Sequence, residues 1–267
     1  MTTDTLQQIL DQLAESDENT TTLGDNWSQG RAAFGGLVAA LASLGMSKQL
    51  DTAPPLRSLL TSFVAPRPPG QVSVDAAIQR QGRSVSQCSA NVVSGGSIAL
   101  QALGVFGNAR PGLRVEADRM SKPLPREEGI PFEKFAKRMP GFLSQFDGCW
   151  MGNAMPYSGS RTRKLNMWVS HRCDMSAYPA EKIVALADMP PPVLLAHYDK
   201  PIVPASSVSW GLEFVIDPAE VEGDWFYLDF DLDAAADGYT QQSGRIYDEA
   251  GRLCALSRQC MVYFERQ

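Results

Sequence analysis

Residues 30–45, GRAAFGGLVAALASLG, restrict the folds open to this chain more than any other stretch. Leu37, Val38, Leu41 and Leu44 recur at helical spacing, and alanine fills most of the positions between them. A helix that is apolar nearly all round has no face to give to water, so the rest of the chain has to enclose it. Two adjacent glycines, Gly35 and Gly36, stand at its start although glycine weakens a helix. Bare backbone there implies that another group comes close. Gly45 suits the C-cap.

The segments that follow supply an enclosing sheet. PPLRSLLTSFVAPRPPG reads as a strand ended by prolines, and QVSVDAAIQRQGRSVSQCSANVVSGGSIALQALGVFG as three strands joined at residues 81–83 and 94–97. Residues 107–145 are broken by five prolines and rich in charge, which predicts a connector with one short helix near Phe132–Arg138. Beyond it KLNMWVSHRC is strand-like and PAEKIVALADM helical, with Pro179 near its first turn. SVSWGLEFVID, DWFYLDFDLDA, GYTQQSGRIYDEAG and RLCALSRQCMVYF then read as four strands.

The order helix, then antiparallel strands, thus occurs twice. TSFVAPRPPG corresponds to LEFVIDPAEVEG, setting Phe63 against Phe214. Counting back from Phe106 and from Phe264 sets Gln101 against Gln259. The expected organisation is an N-terminal helix over 1–20, a first α+β domain over 21–109, a connector over 110–145 and a second domain over 146–267. With 267 residues, 44% of them apolar, the chain can bury a substantial core.

A net charge of −6 argues against nucleic acid as the partner. No stretch is apolar for long enough to cross a bilayer, so no membrane partner is expected. The opening MTTDTLQQILDQLAESDENTTT reads as an amphipathic helix, with Leu6, Ile9, Leu10 and Leu13 on one face, and not as a signal peptide. Five cysteines with no CxxC pair suit the reduced thiols of a cytoplasmic protein and argue against a metal site. His171 and His197 sit in no recognisable catalytic setting and read as structural.

The segments GRAAFGGLVAALA, LRSLLTSFVAPRPPG, QRQGRSVSQCSANV, SSVSWGLEFV and GRLCALSRQCMVYF resemble the double-hotdog acyl-CoA thioesterases of the TesB-like (acyl-CoA thioesterase II) family, from about Trp27 onward. The resemblance implies a double hotdog, two long helices each wrapped by an antiparallel sheet. It implies hydrolysis of acyl-CoA to free acid and coenzyme A by directly activated water. No cofactor is implied, coenzyme A entering as part of the substrate, and assembly into a homo-oligomer is.

In that family an aspartate, a threonine or serine, and a glutamine hold the water. Carried over by position, the glutamine is Gln259, the threonine position falls near Asp231, or Asp233 if the gap lies elsewhere, and the aspartate position lands on Ser209, which is no acid. Gly35 and Gly36, at a helix N-terminus, would polarise the thioester carbonyl, where each preorganised N–H is worth about 2.7–4 kcal/mol. Phe34 and Trp210 would contact the acyl chain. Because a hydroxyl is a far poorer base than a carboxylate, Ser209 motivates an alternative, a non-catalytic binder of acyl-CoA or a lipid-like ligand. A hydratase on the same fold would need a histidine or acid pair that the sequence does not offer.

Overall fold

The apolar stretch folds as a helix over Gly35–Ser47, and every residue from Gly36 to Ser43 is buried. The computed structural model describes residues 3–52, 54–117, 119–120, 123–152, 155–199 and 203–265. In chain order its elements are α1 (Leu6–Glu15), β1 (Thr20–Thr22), β2 (Ser28–Gln29), β3 (Ala32–Ala33), α2 (Gly35–Ser47), β4 (Leu56–Phe63), β5 (Gln71–Gln81), β6 (Val85–Ser94), β7 (Ser97–Gly107), β8 (Ile130–Pro131), β9 (Phe146–Met151), β10 (Lys164–His171), α3 (Pro179–Ala187), β11 (Ala205–Phe214), β12 (Trp225–Ala236), β13 (Tyr239–Asp248) and β14 (Leu253–Tyr263). Short 3-10 segments connect them.

Local chemistry sets several boundaries. Thr5 caps α1, its hydroxyl accepting from the Gln8 N–H while the Gln8 side chain accepts from the Thr5 N–H. Leu6, Ile9, Leu10 and Leu13 are buried, as their spacing predicts. The β6–β7 hairpin turns through Gly95 and Gly96, whose φ of +57° and +72° side chains rarely tolerate.

Twelve strands form one antiparallel sheet in the order β1-β5-β6-β7-β4-β11-β14-β13-β12-β10-β9-β8. The halves meet where β4 pairs with β11, Trp210 opposite Thr61. The sheet is therefore continuous across the two halves. Of the two helices expected to be long, the second is short, nine residues against thirteen for α2. α3 runs antiparallel to α2: Ser43 near the end of α2 donates to Glu181 at the start of α3 at 2.8 Å, while Gly36 abuts Ala185. One apolar cluster extends through both halves, from Leu6 to Ala255.

The connector is part of this core. Its segment Phe132–Arg138 is a 3-10 helix, and a second one spans Gly141–Gln145. Phe142 stacks face to face on Phe34, centroids 4.0 Å apart, with Phe146 edge-on to both.

The register corrects one correspondence. Phe63 lies opposite Leu100 on β7, and Phe214 opposite Ala255 on β14. Four residues further along stand Gly104 and Gln259, so Gly104 is the counterpart of Gln259. Gln101 is exposed and donates to Asn91, whereas Gln259 is buried. At Gly104 a Cβ would come within 2.9 Å of Met46 Cε, so a methionine occupies the space that a longer side chain would need.

Candidate active site

A carboxylate that the motifs do not single out stands at the centre of the site. Asp188 follows α3 directly, in ALADMPPP, and is buried. The C-terminus of a helix repels negative charge, but the antiparallel packing brings the N-terminus of α2 against the same point. The Gly36 N–H donates to Asp188, and Gln259 Nε2 donates to Asp188 Oδ1 at 2.6 Å. Burial outweighs both hydrogen bonds and pushes the carboxyl up to about 7.

This contact explains the glycine pair. A Cβ at Gly35 would lie 2.6 Å from Asp188 Oδ2 and 2.7 Å from the Phe63 ring. One at Gly36 would run into the Ala185 carbonyl oxygen and the Phe34 ring. Gly36 thus serves the carboxylate directly, while Gly35 lines the adjoining cleft.

Gln259, on β14, is 2% exposed and brings the site together. Its amide also donates to Ser207 Oγ at 3.0 Å, and its Oε1 accepts from Gln242 Nε2 at 3.2 Å. Gln242 Oε1 accepts from the Val193 N–H at 3.0 Å. Asp188, Gln259 and Ser207 open on a cleft of about 160 Å3, walled by Val38, Phe63, Val72, Leu100 and Met261 among others. Arg67 also lines it, with a buried Nε that has no hydrogen-bond partner among the described residues.

Other expected site residues lie elsewhere. Ser209 is exposed, and the serine that reaches Gln259 is Ser207. The reason is a bulge: Ser207 pairs with Met261 and Ser209 with Cys260, leaving Val208 extra and reversing the alternation that counting assumes. Asp231 is held 3.0 Å from Lys164 at the end of the β10–β12 pairing, outside the cluster. Phe34 is buried under Phe142, and Trp210 is 2% exposed with its Nε1 donating to Ser257 Oγ, so neither lines the cleft. His171 is half-buried with Nε2 on the Lys182 carbonyl, and loss of water around its ring pushes it down to about 4. His197 bonds the Thr162 carbonyl.

Asp188, Ser207 and Gln242 are the residues that sequence reasoning misses. One signal was available for Asp188: an acid closing an apolar helix stands at the end where the helix dipole opposes it. Ser207 is hidden by the bulge, and Gln242 looks like any other polar strand residue.

Family models match both halves, the acyl-CoA thioesterase N-terminal domain over residues 23–107 and the C-terminal domain over 117–263. The chain belongs to the acyl-CoA thioesterase family. Similar solved structures include a conserved protein of unknown function with a hot dog fold from Alicyclobacillus acidocaldarius (TM-score 0.83, 18% identity, covering 97% of this chain and 98% of that one). The tesB protein of Mycobacterium avium subsp. paratuberculosis aligns with TM-score 0.75 at 16% identity, over 98% of this chain and all of the other (100%). The acyl-CoA thioesterase II TesB2 of Mycobacterium marinum aligns with TM-score 0.70 at 19% identity, over 97% and 98%. At these identities the likeness establishes the hotdog fold of this acyl-CoA thioesterase family member. No curated protein matches it.

Proposed function

We propose that this family member hydrolyses acyl-CoA thioesters by direct attack of water, with Asp188 as general base. The observation that carries the reading is the buried Asp188–Gln259 hydrogen bond at the wall of a cleft. A carboxyl held near 7 is balanced between keeping and taking a proton at neutral pH, as a general base requires. Ser207, fixed by the Gln259 amide, holds the water beside it. Ser207 Oγ accepts from Gln259, so its own proton is free to point at a ligand. The N-terminus of α2, opening on the cleft at Gly35, faces the oxyanion that forms on the carbonyl. Collapse of that intermediate releases the coenzyme A thiolate, which takes up the proton from Asp188. Arg67, whose Nε has no partner among the described residues, is placed to meet an oxyanion of the substrate such as a coenzyme A phosphate.

The alternative of a non-catalytic binder rests on the absence of an acid at Ser209; Asp188 supplies a carboxylate from another element. Purified protein assayed against acyl-CoA esters of graded chain length, with detection of the released thiol, is expected to turn over at least one of them. Tight binding of every ester with no thiol released by the wild type would overturn hydrolysis and favour the binder.

A further inference from the structure

Two buried glutamines stand in line behind Asp188, and a backbone amide fixes which way round both of them are. The Val193 N–H, which can only donate, bonds Gln242 Oε1. The Gln242 NH2 is therefore on the other side, where it donates to Gln259 Oε1. That oxygen being taken, the Gln259 NH2 has to face Asp188 and Ser207, as it does. Gln242 and Gln259 are register partners across β13 and β14, and both are buried. The relay starts and ends on one segment: Val193 opens the turn that follows the three prolines after Asp188.

We infer that Gln242 is a positioning residue, which holds the Gln259 amide with its hydrogens toward Asp188. Without the bond from Gln242, Gln259 is free to turn its amide over. Its Oε1 would then face a carboxylate oxygen, which disfavours the ionised form, and would accept from the protonated one. Removing Gln242 therefore moves the Asp188 titration to higher pH.

Among the described residues no other charged group acts on Asp188. Asp188 meets Gln259 from β14, Gly36 from α2 and Phe63 beside Gly35 from β4. Ser207, on β11, shares Gln259 with it, and Arg67 is the other charged side chain lining the cleft among the described residues. Glu181 and Lys182 lie on earlier turns of α3, held by Ser43 and by Asp224. Arg258 and Glu213 are on the exposed faces of β14 and β11.

The test is Gln242→Met, which keeps length and loses both hydrogen bonds, and Gln242→Glu. Carboxyl 13C NMR titration of Asp188 is expected to show its midpoint raised by about one pH unit in Gln242→Met. The acid limb of kcat/KM should follow by the same amount, a fall of about tenfold well below the midpoint. In Gln242→Glu the neutral carboxyl copies the amide, accepting from Val193 and donating to Gln259. Activity near pH 6 should stay close to wild type and fall to the Gln242→Met level once the introduced group ionises. An unmoved Asp188 midpoint in Gln242→Met overturns the inference. If that variant does not fold, Gln242→Glu decides alone, and a profile parallel to wild type overturns it. The kinetic arm rests on the proposed hydrolysis, but the NMR arm does not. A protein that hydrolyses no thioester yet shows the shifted midpoint sinks the function and leaves the relay.

Discussion

Asp188 has a carboxyl whose two hydrogen bonds do not offset the loss of water around it. For the proposed general base the sign follows directly. Below about pH 7 the group is protonated and cannot take a proton, so kcat/KM should rise with pH toward a plateau above the midpoint. Asp188→Asn should lower kcat by about 10²- to 10⁴-fold and abolish that limb, with near-UV circular dichroism unchanged. A variant retaining wild-type kcat would remove Asp188 from the mechanism. Of the candidate site residues, Gln259 was legible because a glutamine in SRQCMVYF matches a motif position. Asp188 was not, because its partners, Gly36 and Gln259, come from distant parts of the chain.

At the scale of elements, the α2 N-terminus and β11 contrast. The two glycines announced a close approach, and the approaching groups are Asp188, Ala185 and the rings of Phe34 and Phe63. Gly36→Ala should therefore overpack the α2–α3 contact and cost about 1–3 kcal/mol, read as a lower urea midpoint. An unchanged midpoint would mean that the two helices can part at no cost. β11 gave no such warning. Its strand character was evident, but alternation assumes one residue per pleat, and the extra Val208 turns Ser207 inward in place of the expected phase. The strand meander, both hairpin turns and α1 followed from local chemistry; α3's brevity and the joining of β4 to β11 depend on contacts between halves.

Across the whole molecule, the same buried acid links stability to pH. Its folded pKa stands above the unfolded value, so the folded state holds the extra proton between about pH 4 and pH 7, and stability falls as pH rises through that window. The span corresponds to about 4 kcal/mol, complete above the folded midpoint. Urea unfolding at pH 5 and pH 8, which takes in two of those three pH units, should show a decline of about 3 kcal/mol in wild type and a smaller one in Asp188→Asn. Equal declines would mean that other groups set the pH dependence. The opposite arrangement, a solvated and well-paired carboxylate, would have stabilised the protein at pH 8 and left it no base near neutrality.

Gly104, with Met46 filling the room beside it, gives this duplication a definite stoichiometry. Two modules are present, but the place where the first would carry its own amide is plugged by a thioether, so that module contributes a helix end and a wall to its twin's cleft. Calorimetric titration with a non-hydrolysable acyl-CoA analogue should accordingly saturate at one equivalent per polypeptide, and a count of two would show that the plug gives way.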